Sequence, residues 1–216
     1  MIFNDIKKRL YTSIFLILLV VLISQYTFFL VYSLIILGSL SLIEFFNLIN
    51  RIFKIRFYSI LLSIIFSIYV LTFCILFFYF SQFIQLKIII YILLLCCIFS
   101  DIGGFVFGKI FKGKKLTKIS PKKTVSGAIG SLVLGVITVI LLFNFFLKEF
   151  YIQSILIGLI TSSACQIGDL FFSFLKRKAK LKDTGNFLPG HGGVLDRLDG
   201  IYFGIPIGMI SITLLF

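Results

Sequence analysis

Eight carboxylates make up the whole acidic complement of this 216-residue chain: Asp5, Glu44, Asp101, Glu149, Asp169, Asp183, Asp196 and Asp199. Asp5 and Glu149 flank apolar runs and read as solvated or surface residues. The other six fall near one end of long apolar segments or in the last polar loop. Ionisable groups at membrane depth are costly, so they normally face a protein interior or a watery cavity. Several carboxylates gathered at one face also need cations if they are to stay ionised together. Asp196 and Asp199 stand three apart in Leu195-Asp196-Arg197-Leu198-Asp199. If a helix has begun there, both point the same way, close enough to share a divalent cation. Mg2+ takes oxygen ligands, commonly one or two carboxylates plus substrate phosphates. This pair, directly after a glycine-rich loop, is the best metal candidate in the chain; an ion pair with Arg197 is the competing reading.

Asp169 belongs to a second pattern. Ser162, Gln166, Asp169, Ser173 and Lys176 follow a helical repeat and fall within a stripe of about 80° at 100° per residue. Packing alone explains the serines and the glutamine, which bind neighbouring helices well. It gives no reason for a carboxylate. Small residues spaced by four, Ser154, Gly158 and Ser162, and also Gly127, Ser131 and Gly135, are assigned to helix packing. Asp101 shares a face with Gly104 and Gly108, where a carboxylate beside bare backbone suits a cation or a sugar and base hydrogen-bond acceptor. Pairing with a nearby lysine is the plain alternative.

Anion-binding features lie close by in sequence. Ser120-Pro121-Lys122-Lys123-Thr124 reads as a helix start, with serine as N-cap and proline at the first helical position. Two lysines in a first turn oppose the helix dipole, and a bound phosphate would resolve that conflict. An anchor for anionic lipid headgroups is the rival account. The segment Lys182 to Gly193 carries Asp183, the only histidine, His191, and the turn-forming Gly185, Gly190, Gly192 and Gly193. Carboxylates for Mg2+ beside lysines and arginines for phosphates fit phosphoryl or nucleotidyl transfer, in which catalysis is mostly positioning and charge neutralisation.

The elements that must hold these residues are membrane helices. The chain is 60% hydrophobic, 13% charged and has a mean hydropathy of +1.15, where a soluble domain is about 45–50% apolar and about a quarter charged. An ordinary cytosolic enzyme, a disordered chain and a collagen-like fibre are excluded. Roughly 20 apolar residues cross a bilayer, and seven such runs are read at about 10–24, 27–49, 57–80, 86–107, 125–147, 151–175 and 200–216. Unbroken apolar stretches such as Ile14–Ile23 exclude the alternation of a membrane barrel. Nineteen of the 21 Lys and Arg residues fall in four clusters, which seven spans from a cytoplasmic N-terminus place on one side. The net charge of +13 is thereby a membrane-face asymmetry, and no nucleic-acid partner is expected. No cleavable signal is expected either, because no small-residue cleavage site is evident. Cys74, Cys96, Cys97 and Cys165 lie within proposed spans without a CxxC pair, which argues against zinc or a disulfide framework. The expected fold is an all-α polytopic membrane bundle forming a single domain over 1–216, with N-terminal spans over 10–80 and a catalytic core over 86–216.

Ser173-Phe174-Leu175-Lys176-Arg177, then Lys182-Asp183-Thr184-Gly185, then Leu188-Pro189-Gly190-His191-Gly192-Gly193-Val194-Leu195-Asp196-Arg197-Leu198-Asp199 closely resemble the signature of the phosphatidate cytidylyltransferase (CDP-diacylglycerol synthase) family. Gln166-Ile167-Gly168-Asp169-Leu170, Ser100-Asp101 with its glycines, Ser120 to Thr124, and Glu44-Phe45 are similar to the family as well. Two departures stand out. The lysine motif continues Val125-Ser126-Gly127 where the family commonly has Glu-Gly, and the chain looks short in its early spans. The resemblance implies that CTP and phosphatidic acid give CDP-diacylglycerol and pyrophosphate, with Mg2+, at the cytoplasmic side of a bacterial inner membrane. It implies metal ligands Asp169, Asp196 and Asp199, in a two-cation centre for which K+ is a candidate second ion. Lys122, Lys123, Lys176, Arg177 and Arg197 would neutralise phosphates, with Lys176 and Arg177 grouped with the aspartates as catalytic. Asp101, Ser120, Thr124, Ser173, Lys182, Asp183, His191, Gly192 and Gly193 would contact substrate, His191 and Asp183 by orienting groups.

Other readings remain open on the residues alone. A CDP-alcohol phosphotransferase also works on lipid with clustered aspartates, but its Ala-Arg element is missing here and Asp199 stands three residues after Asp196. An ion-coupled transporter could use Asp101 and Asp169, yet no internal repeat is found. Small-residue helix faces leave a homodimer open.

Overall fold

The computed structural model describes residues 18–117, 120, 123–147, 152–185, 187 and 192–215. A helical stretch over 18–25 (α1) breaks at Tyr26, the soft boundary of the first apolar region. It is followed by α2 (Thr27–Ile52), α3 (Arg56–Ser81), α4 (Ile84–Phe111), α5 (Val125–Leu147), α6 (Ile152–Lys178) and α7 (Leu195–Leu215). The last six are each long and apolar enough to cross a membrane. Their outward side chains are apolar too: Phe28, Ile35, Ile68, Ile75, Phe145 and Leu214 are all exposed. A protein with that much exposed hydrocarbon needs a bilayer around it. Of the seven expected spans, the first falls mostly outside the described residues. The last begins five residues earlier than the apolar pattern suggests, so Asp196 and Asp199 lie on α7 itself.

The chain divides into two compact units, Met1–Phe78 with Leu175–Leu198, and Tyr79–Phe174 with Asp199–Phe216. In the first, α2 and α3 pack through stacked Phe45 and Phe66 rings, 3.9 Å between centroids. The last turn of α6 belongs to this unit and ends in a left-handed cap. Lys180 takes φ +56°, its N–H bonds Arg177 O at 3.1 Å, and Leu181 N–H bonds Lys176 O at 2.9 Å. These two bonds satisfy carbonyls that a helix end leaves bare, and they turn the chain sharply into the glycine-rich loop.

The second unit is assembled through small residues. A Cβ at Gly103 on α4 would lie 2.5 Å from Gly130 O on α5, so only glycine permits that approach. Ser100 and Ser131 hydrogen-bond across the same seam at 2.6 Å. Lipid tails are as apolar as leucine, so close backbone packing and interhelical hydrogen bonds supply the association. On α6, Gln166 Nε2 donates to Ala128 O of α5 at 3.2 Å. The small residues at four-residue spacing are therefore packing residues, as their spacing implies. Gly104 and Gly108, read as bare backbone beside Asp101, likewise seat α5 at Gly127 and Thr124.

The start of α5 differs from expectation. The helix begins at Val125, so Ser120 is not its N-cap, and Pro121, expected at the first helical position, lies outside the described residues. Thr124 caps it, its Oγ1 accepting from Gly127 N at 3.1 Å. The reason is a competing local structure. Leu116 N–H bonds Lys123 O at 2.8 Å and Val125 N–H bonds Lys114 O at 3.0 Å, forming an antiparallel bridge between Lys115 and Thr124. Lys123 is thereby held outside the first turn, and the dipole conflict does not arise. Ser126 donates to Lys112 O, closing the same loop.

Candidate active site

In the first unit, α7 begins without a capping side chain of its own, because the residue before it is Val194. Helix N-termini present unpaired N–H groups and favour anions. One carboxylate meets that need at the first turn, and a second ties down the loop before it. Glu44, on α2, accepts from Val194 N at 3.0 Å, Leu195 N at 2.9 Å and Thr184 Oγ1 at 2.6 Å. Asp196 accepts from Thr184 N at 2.8 Å and Gly193 N at 3.0 Å through Oδ2. Its Oδ1 faces Lys176 Nζ at 2.6 Å, with side-chain exposures of only 12% for the lysine and 6% for the aspartate. A Cβ at Gly193 would collide with Thr184 Oγ1 and both Glu44 oxygens. That crowding explains glycine here better than backbone freedom does.

In the second unit, Asp169 on α6 pairs with Lys123, and Ser173 Oγ donates to Asp169 Oδ1 at 3.4 Å. The polar stripe of α6 accordingly finds partners along its length: Ser162 against Cys96, Gln166 on α5, Asp169 on Lys123. Asp199 is buried and accepts from Gly200 N at 2.9 Å. Asp101 lies 3.8 Å from Cys165 Sγ.

The residues singled out by the sequence thus form two clusters, with the rest apart from them. Lys123, Asp169 and Ser173 come together, and so do Lys176, Asp196 and Gly193, with Gly192 (φ +86°) beside Asp196. Lys182, Asp183 and Arg197 are exposed, and Arg177 turns back to donate to Leu181 O at 3.3 Å. Ser120 accepts from Lys123 N at 3.0 Å through its carbonyl, and Thr124 serves as the helix cap. Lys122 and His191 lie outside the described residues. Two residues escaped nomination for a site, Glu44 and Thr184. The available signal for Glu44 was a single charge in the apolar run of α2.

Among the described residues, no three His, Cys, Asp or Glu side chains converge as a metal-binding group. The donor chemistry nonetheless suits a hard cation. Asp169 and Asp196 each aim an oxygen at an ammonium group, and a carboxylate placed to face positive charge is the ligand type Mg2+ takes.

Fold and site together define a polytopic helical membrane protein with lysine–carboxylate couples suited to handling phosphates. Its sequence matches the model of the cytidylyltransferase family over residues 3–215, and the chain belongs to that family. It is 44% identical over 115 residues to a phosphatidate cytidylyltransferase of Rickettsia felis, covering 50% of this chain and 51% of that protein. A Synechocystis protein of the same name is 39% identical over 122 residues (54% and 40% covered), and one from Helicobacter pylori 40% over 109 (49% and 40%). The chain spans about half the length of the curated relatives it matches.

Proposed function

We propose that this protein is a phosphatidate cytidylyltransferase of the bacterial inner membrane, with its site at the cytoplasmic face. A phosphate oxygen of phosphatidic acid attacks the α-phosphorus of CTP. The new P–O bond joins lipid and CMP, the bond from that phosphorus to its bridging oxygen breaks, and pyrophosphate leaves with the electron pair. The nucleophile is already anionic near neutral pH, so no strong base is required. Positioning and charge neutralisation carry such a reaction. Lys123 and Lys176 would neutralise phosphate oxygens, and Asp169, Asp196 and Asp199 would hold Mg2+. When bound, the metal would offset charge building on the triphosphate. The observation that carries the reading is the pair of couples Lys123–Asp169 and Lys176–Asp196 in a chain of this family. Each sets an anion-binding group beside a cation-binding one.

Purified protein in vesicles with phosphatidic acid, labelled CTP and Mg2+ should transfer label into lipid. No labelled lipid from folded protein would end this reading. Orientation is tested separately. Lys115 is exposed on the loop before α5, and Lys115→Cys should react with an impermeant maleimide only from the cytoplasmic side. Reaction from the opposite side would invert the topology.

A further inference from the structure

Glu44 is 1% exposed within an apolar helix, and every hydrogen bond just described for it comes from a segment 140 to 151 residues further on. A buried carboxylate is costly unless well paired, so three donors on one carboxylate call for a reason. Its partners supply it. Thr184 gives its hydroxyl to Glu44 and its amide to Asp196. Gly193 gives its amide to Asp196, while the next two amides go to Glu44. Both ends of the glycine-rich loop are therefore tied to the same two carboxylates. Cβ atoms at Gly185 or Gly193 would strike the Glu44 carboxylate, so these two glycines lie directly against it.

We infer that Glu44 is a positioning residue: it supplies the cap that α7 lacks and, through Thr184 and Gly193, sets where Asp196 and Lys176 stand. As a statement about turnover this rests on the proposed cytidylyl transfer; as a statement about loop geometry it does not. Glutamine in its place keeps the shape but offers one acceptor oxygen where three donors converge. Aspartate keeps the charge at a shorter reach.

The test uses full-length protein in vesicles with a spin label on Phe187→Cys, an exposed position in the loop, in otherwise native and Glu44→Gln backgrounds. Glu44→Gln should lower kcat per folded molecule by about ten- to a hundredfold at saturating substrates, as small misplacements do, and should mobilise the label. Glu44→Asp should recover part of both. A purely structural glutamate would reduce the yield of folded protein and leave kcat per folded molecule unchanged. Unchanged kcat or an unchanged spin-label spectrum overturns the inference. If the native-Glu44 protein makes no CDP-lipid, the functional reading fails and the label spectrum alone decides the clamp. Should Glu44→Gln not fold, Glu44→Asp carries the same comparison, with a partial loss expected and native behaviour in both readouts overturning the inference.

Discussion

Asp196→Asn should stop turnover and destabilise the protein at the same time. Asp196 is held by Lys176 on one oxygen and two backbone amides on the other. Asparagine removes the charge and presents an N–H pair either to an ammonium or to two N–H groups, so one contact becomes donor against donor. The couple is nearly enclosed, and leaving one partner of a buried ion pair alone costs about 3–5 kcal/mol. Metal or phosphate neutralisation worth several kcal/mol in the transition state corresponds to a loss of about a hundred- to a thousandfold or more in rate. Initial rates on vesicles and thermal unfolding of the same preparation measure the two effects. Adding Lys176→Met removes the stranded charge, so the double variant should regain stability without regaining activity. A near-native rate for Asp196→Asn would remove this residue from the site.

Asp169→Asn should produce a comparable loss of rate with little change in stability. Lys123 and Asp169 are half-buried, 27% and 28% exposed against 12% and 6% for Lys176 and Asp196, so the pair lies nearer the surface range of about 0–1 kcal/mol. The neighbouring contacts that hold α6, Gln166 on Ala128 and Ser162 beside Cys96, do not involve the carboxylate. A thermal midpoint close to native with turnover down about a hundredfold or more is the expected result. A collapse of the midpoint would mean that Asp169 serves packing, and a native rate would mean that it serves neither. The contrast between the two aspartates follows from burial: the same chemical change strands a charge in a nearly enclosed couple at one and in a half-buried couple at the other.

Much of this architecture is written in local pattern. Apolar runs of bilayer length, the stripe on α6 and the small residues at four-residue spacing are helix-period signals, and a helix period is a property of neighbours in the chain. Asp169 and Lys176 stand out by the same helix period, Asp196 by its spacing from Asp199, and Lys123 by the lysine motif before α5. Local signals set the start of α5 at Ser120, because serine and proline outrank threonine there. The bridge pairing residues 114–116 with 123–125 was a competing use of the same backbone, and it prevailed.

Tertiary structure alone decided who pairs with whom. By its own sequence α7 has a valine where a cap belongs, and nothing near it indicates that a glutamate from α2 fills the role. That match depends on two surfaces meeting after the chain has folded, and no periodicity encodes it. Likewise Gly185 and Gly193 look like turn formers until the Glu44 carboxylate is found lying against them. Composition and spacing determined a membrane helix protein carrying acids and lysines. Folding determined which acid each lysine holds, because burial and reach, unlike hydropathy, are not properties of a segment by itself.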